Sequence, residues 1–119
     1  MTKPRSMLSR LFSRLTASTN ASAVAHEELQ QAHLKGTCTV VDVREAHEYA
    51  SGHIPGAVNH PLSQFDPARI PHGKPVVLIC QAGARSTAAL QRARAAGRQD
   101  VRHYPGGMSG WRARRGPVR

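Results

Sequence analysis

The run Val76-Val77-Leu78-Ile79, directly after Pro75, is the feature that most limits how this chain can fold. Consecutive apolar residues without alternation describe a strand buried on both faces, and such strands belong to parallel sheets with helices above and below. The run stops at Cys80. The loop Cys80-Gln81-Ala82-Gly83-Ala84-Arg85 then leads into Ser86-Thr87-Ala88-Ala89-Leu90, which reads as the start of a helix over 86–96 with Gly97 as its stop. The same alternation runs through the rest of the chain. A helix is expected over 27–35, with acids in its first turn, Lys35 in its last and Gly36 beyond it, though Ala25 or His26 makes a weak N-cap. A strand follows at 39–43, then a polar helix at 45–50 closed by Gly52, a turn at Ile54-Pro55-Gly56 and a short strand at 57–59. Pro61, Pro67, Pro71 and Pro75 punctuate a connection with at most one helical turn, and a strand at 101–104 and a short helix at 108–115 complete the pattern. Strands alternating with helices at this spacing mean an α/β domain.

With 119 residues the chain has room for one such domain and a tail. Residues 1–21 differ from the rest: four basic residues, no acidic ones and many Ser and Thr. Met7, Leu8, Leu11, Phe12 and Leu15 share one arc if the segment is helical. Three readings apply to it: a flexible tail, a peripheral contact with an anionic membrane, or an Arg- and Ser-rich organelle import sequence. The domain is placed at 22–119. Its two cysteines, Cys38 and Cys80, are too few for a disulfide framework and fall at opposite ends of different strands, which fits a reducing, cytoplasmic setting, or an organelle matrix if the tail is an import sequence. The net charge of +10 draws in anions, but it is spread over the N-terminus, the helix after Cys80 and the C-terminus. With aromatic content of 4% and no reader motif, nucleic acid is not an expected partner.

Cys80 stands where the strand ends and a helix begins, so unpaired backbone N–H groups are expected to converge on its sulfur. Only the thiolate attacks, and such donors favour it. The mouth of a parallel sheet at the C-terminal ends of its strands is also where α/β folds bind ligands. Ala82, Gly83 and Ala84 keep the loop small, and Gly83 can take the positive φ of a tight turn. This chemistry requires the amides to surround a thiol that solvent can reach.

Three stretches resemble the rhodanese-like sulfurtransferase family. They are Val41-Asp42-Val43-Arg44-Glu45-Ala46-His47-Glu48-Tyr49-Ala50-Ser51-Gly52-His53-Ile54-Pro55-Gly56-Ala57-Val58-Asn59, the loop from Cys80 to Ser86, and Gly106-Gly107-Met108-Ser109-Gly110-Trp111. The resemblance runs from about residue 22 to about residue 118. It implies a mainly parallel five-stranded sheet flanked by helices on both faces, and a cysteine that carries sulfane sulfur as a persulfide. Cys80 is then the catalytic residue. Arg85, with the loop residues Gln81, Ala82, Gly83, Ala84 and Ser86, is the expected binding site for a small anionic sulfur donor such as thiosulfate. Cyanide, a thiol or a protein is the expected acceptor. Asp42 and Arg44 end their strand on the same edge as Cys80 and are expected to form a supporting framework with Glu48 and His53. Trp111 is expected to pack under the C-terminal helix. Neither a cofactor nor a metal site is expected.

Loop length separates this chemistry from that of the related cell-cycle-type phosphatases, whose cysteine loop is longer by one residue. Here four residues stand between Cys80 and Arg85, and Ser86 occupies the place of the phosphatase arginine. The shorter loop suits a sulfur atom better than a phosphoryl group. A non-catalytic sulfur-relay or partner-binding module, tethered by residues 1–21, is the other expectation. His60 and His103 depart from the family pattern, standing where apolar residues are usual.

Overall fold

The computed structural model describes residues 22–119, so every expectation for the tail lies outside the described residues. Among the described residues four strands form one sheet in the order β2-β1-β3-β4: β1 (Thr39–Asp42), β2 (Val58–Asn59), β3 (Val76–Ile79) and β4 (Val101–His103). All the pairings are parallel, and β1 lies against β3 with Thr39 opposite Val76 and Asp42 opposite Ile79. The helices among the described residues are α1 (His26–Lys35), α2 (Ala46–Ala50), α3 (Ala84–Ala95) and α4 (Gly107–Ala113).

Alternation along the central strands sorts side chains into two cores. Val40, Val77 and Ile79 point to the side covered by α1 and α4, where they meet Leu29, Met108 and Trp111. Val41, Val76 and Leu78 point the other way, to Ala89, Leu90 and Ala93 of α3 and to Ile70. Both faces of β3 are therefore dry, as its apolar run demands. Leu78 and Ile79 are 0% exposed, and burying each contributes roughly 1.5–3 kcal/mol relative to leaving it in water. Trp111 packs fully buried beneath α4 and donates from Nε1 to the Pro117 carbonyl at 2.8 Å.

Several expected boundaries shift, each for a local reason. Among the described residues the fifth strand is reduced to a bridge between Ala23 and His103, where Ser22 and Val24 exchange backbone bonds of 2.9 and 2.8 Å with His103. β1 ends one residue early, although the Val43 N–H still donates to the Ile79 carbonyl at 2.9 Å. α3 begins at Ala84 rather than Ser86, because Gly83 takes φ 104° and turns the chain into the helix sooner. The proline-rich connection holds two 3-10 turns, Leu62–Gln64 and Pro67–Arg69, where one at most was expected. Asp66 caps the second by accepting from the Ala68 N–H at 3.0 Å. Arg98 then holds this segment down, donating to the carbonyls of Pro67, Ile70 and Pro71 at 2.8–3.0 Å while pairing with Asp100.

The weak start of α1 is real: Ala25 provides no side-chain cap, and His26 instead contacts the Tyr104 hydroxyl through Nδ1 at 3.0 Å. Its end follows the expected design, with Gly36 at φ 66° and bonds to the Ala32 and His33 carbonyls. α2 is only one turn longer than a bend. It forms through a capping box in which Glu45 and Glu48 each satisfy the other's backbone N–H.

Candidate active site

Parallel pairing brings the C-terminal ends of β1, β3 and β4 to one edge, which places Asp42, Cys80 and Tyr104 side by side. The loop after Cys80 is held from below by the start of α4. The Met108 N–H donates to the Cys80 carbonyl at 2.8 Å and the Ser109 N–H to the Gln81 carbonyl at 3.1 Å. Gly107 adopts φ 62° beneath these carbonyls, and an added Cβ would collide with the backbone of Gln81 and Cys80. Gly107 thus lets the C-terminal helix approach the loop closely, while Gly106 makes room for the Tyr104 ring.

Around Cys80 the backbone closes tightly. The Gly83 N–H donates to Sγ at 3.0 Å, and the Ser86 hydroxyl lies 3.5 Å from the same sulfur. Burial opposes ionisation of this thiol. The Ser86 hydroxyl and the amides of Ser86, Gly83 and Ala82 outweigh it, so the pKa falls below the ordinary thiol value. The expected convergence of amides on the sulfur is therefore present. The expected access from solvent is not: Cys80 is 1% exposed and packs in the core cluster formed by β1, β3 and α3. Within that loop Ala82 and Ala84 face solvent and Gly83 and Ser86 are buried.

Arg85 lies at the rim, and its fork is engaged. Nη1 and Nη2 donate to the two carboxylate oxygens of Glu48 at 2.6 and 3.0 Å. Hydrogen bonds from Arg85 hold the Glu48 carboxyl down to about 2. Glu48 was expected beside Asp42 and Arg44; the fold gives it to Arg85 instead, because α2 carries it across the loop mouth.

The framework itself is internal to the Asp42-Val43-Arg44 segment. Asp42 is 0% and Arg44 2% exposed, and Arg44 donates from Nε and Nη2 to the Asp42 carboxylate at 2.8–3.2 Å. The same guanidinium reaches the Gly52 carbonyl at 2.7 Å and Gln81 Oε1 at 3.3 Å. Gln81 in turn donates to the Ser109 hydroxyl at 3.1 Å. One buried ion pair thus ties β1, the α2 exit, the cysteine loop and α4 together. His53 stands apart from this network. Its Nδ1 contacts the Tyr49 carbonyl at 2.9 Å, and its ring stacks on Tyr49 with centroids 3.7 Å apart.

Two participants were not among the expected site residues, although His103 stood out in the sequence as a departure from the family pattern. Asn59 donates to the Asp42 and Arg44 carbonyls at 3.0 and 2.9 Å, fixing the strand end. His103, on β4, sits 2.9 Å from the Ser86 hydroxyl. Cys38 lies at the opposite end of the sheet, half-buried; burial pushes its thiol up, with Lys74 opposing. Among the described residues, no group of three or more His, Cys, Asp or Glu side chains is placed to hold a metal ion.

A family profile described as the rhodanese-like domain matches residues 25–114. The human thiosulfate:glutathione sulfurtransferase is 33% identical over 107 residues, a match covering 76% of this chain and 93% of that protein. The thiosulfate sulfurtransferase GlpE of Pseudomonas savastanoi pv. phaseolicola is 36% identical, covering 72% of this chain and 83% of the relative. An uncharacterised Synechocystis protein is 40% identical, and there the chain spans about half the relative's length, 51%. Among solved structures, the human single-domain sulfurtransferase TSTD1 superposes with a TM-score of 0.67 at 32% identity, covering 77% of this chain and 96% of that one. With its cysteine loop at the sheet edge, its parallel α/β fold and a profile match across most of its length, this chain belongs to the rhodanese-like domain family.

Proposed function

We propose that the chain is a sulfurtransferase that moves sulfane sulfur from thiosulfate or a similar donor to a thiophilic acceptor through a persulfide on Cys80. The observation that carries this is the set of donors around one sulfur: the Gly83 amide at 3.0 Å, the amides of Ala82 and Ser86, and the Ser86 hydroxyl. They favour the thiolate that attacks, and they suit the negative terminal sulfur that follows. In the first half-reaction the Cys80 thiolate attacks the outer sulfur of thiosulfate. A Cys80 S–S bond forms, the donor's S–S bond breaks, and sulfite leaves with the electron pair. In the second, cyanide or a thiolate attacks the terminal sulfur and restores the Cys80 thiolate. Arg85 is the group assigned to the donor's anionic oxygens, and it takes this role by exchanging Glu48 for the substrate. Both half-reactions require the loop around the 1% exposed Cys80 to open.

Family members that act on thiosulfate, at 33% and 36% identity, support this substrate class. A sulfur-relay role, in which a partner protein supplies and removes the sulfur, is favoured by one specific feature, the 1% exposure of Cys80. Intact-mass measurement before and after thiosulfate separates the two. The sulfurtransferase gains one sulfur atom, loses it to cyanide or reductant, and shows neither change as Cys80→Ser. Absence of the gain in the parent protein, or full turnover by Cys80→Ser, overturns the assignment; loading only from a protein persulfide donor establishes the relay.

A further inference from the structure

The contact between Ser86 and His103 joins the cysteine loop to a side chain that sulfur transfer as described leaves unused. Ser86 Oγ lies 3.5 Å from Cys80 Sγ and 2.9 Å from His103 Nδ1, and all three residues are buried, at 0%, 1% and 8% exposure for Ser86, Cys80 and His103. A hydroxyl has one proton and two lone pairs. Its proton can therefore serve the sulfur, the imidazole or the Gly83 carbonyl, which Ser86 Oγ meets at 3.2 Å, and what His103 does decides whether the imidazole competes for it. We infer that His103 is a positioning residue for Cys80 that acts through Ser86, accepting the thiol's proton by relay and then orienting the hydroxyl toward the thiolate.

The relay balances atom by atom. The Cys80 S–H bond breaks as its proton passes to Ser86 Oγ, and the original Ser86 O–H bond breaks as that proton passes to His103 Nδ1. The end state is a thiolate, an intact hydroxyl donating to it, and an imidazolium whose Nδ1–H donates to Ser86 Oγ. No electrons change hands. A buried thiol has few routes for its proton, and this one is built from contacts already in place. While His103 is neutral and accepts at Nδ1, the Ser86 proton is drawn from the sulfur; once His103 donates, that proton returns to it.

Burial lowers the His103 pKa from the ordinary imidazole value. The charged neighbours on the elements packed around it have other contacts: Arg102 on β4 pairs with Glu28, Arg94 on α3 donates to the Val101 carbonyl, Arg92 to the Leu62 carbonyl, and Arg85 pairs with Glu48. The β3 strand beside it, Val76–Ile79, has no titratable side chain before Cys80. Cys80 is thus the ionisable group to which the Ser86 contact couples His103.

The inference rests on Cys80 being the reacting thiol, yet it is testable without sulfur transfer. The test uses the full chain carrying Cys38→Ser and reads the ultraviolet absorbance of the thiolate against a Cys80→Ser blank. Titration from about pH 5 to about pH 9 spans imidazole and thiol ionisation. The parent should show thiolate forming in two steps, the lower one belonging to His103. His103→Leu should lose the lower step and hold roughly tenfold less thiolate near pH 6, as expected for loss of about one charge-assisted hydrogen bond. His103→Asn, which can still donate to Ser86 but does not titrate, should recover much of that thiolate without the lower step, and it reads the relay if the Leu variant does not fold. In a Ser86→Ala background His103→Leu should change nothing further. An unchanged profile in His103→Leu, a lower step that survives in His103→Asn, or an undiminished effect in the Ser86→Ala background overturns the inference. Persulfide formation is scored separately by mass, so failure of the relay and failure of the sulfurtransferase assignment give different results.

Discussion

Replacing Glu48 by Gln tests the idea that the donor anion must win Arg85 from an internal carboxylate. In the resting protein both carboxylate oxygens accept from the Arg85 fork, at 2.6 and 3.0 Å, with side-chain exposures of 33% for Arg85 and 25% for Glu48. A partly solvated pair of this kind is worth up to about 1 kcal/mol after screening. Glutamine keeps the other duty of the position, since its amide oxygen can accept the Glu45 N–H that Glu48 Oε1 now accepts at 3.1 Å. The substitution therefore removes the charge with little disturbance to α2. If thiosulfate has to displace Glu48, removing about 1 kcal/mol of competition lowers its KM by roughly fivefold, with kcat little changed. Steady-state thiosulfate:cyanide assays measure this directly.

Stability supplies the control. Hydrogen bonds from Arg85 hold the Glu48 carboxyl down to about 2, below its unfolded value of about 4.3. The pair thus contributes stability that is fully present above the unfolded value and is lost as pH falls towards about 2. Glu48→Gln should lose up to about 1 kcal/mol in urea titrations at neutral pH, and should match the parent near the acid end. A KM that is unchanged or raised, in a variant that folds, refutes the exchange at Arg85.

Two further substitutions probe the supports of the loop. Gly83→Ala places a Cβ 2.7 Å from the Pro105 carbonyl oxygen at a φ of 104°, so it should cost about 1–3 kcal/mol. Moving the amide that donates to Cys80 should also raise the thiol's pKa, read by thiolate absorbance; an unshifted titration would sink the amide-cradle account. Arg44→Met strips the fully buried Asp42 of its three guanidinium contacts and leaves only the Arg44 backbone N–H at 3.0 Å on the carboxylate. Unfolding in urea should then show a loss of about 3–5 kcal/mol, with Asp42→Asn added to it recovering part of that loss. A loss below about 1 kcal/mol would show that the pair does not hold the strand end.

The local order of the chain was legible because each element announces itself through short-range chemistry. The unbroken Val76–Ile79 run could only be an interior strand of a helix-covered sheet. Gly36 marked the end of α1 and Gly83 the turn before α3, since both take positive φ. Cys80, placed between a buried strand and a helix, by itself points to an amide-lined sulfur. The limits of this local reading appear at Ala84: whether a helix starts there or at Ser86 depends on how far Gly83 turns, which Pro105, distant in sequence, constrains.

What only the tertiary structure decided is who meets whom across the sheet edge. Arg85 and Glu48 are 37 residues apart, and nothing in either local pattern predicts that one saturates the other. The partnership of Ser86 with His103 likewise arises from α3 packing on β4, a match of register rather than of sequence. The closure over Cys80 is of the same kind. Local sequence determines backbone turns and the faces of strands and helices, because those depend on neighbouring φ, ψ and side-chain polarity. Long-range ion pairs and solvent access depend on how finished elements stack, and that is set by the packing of the two cores around β1 and β3.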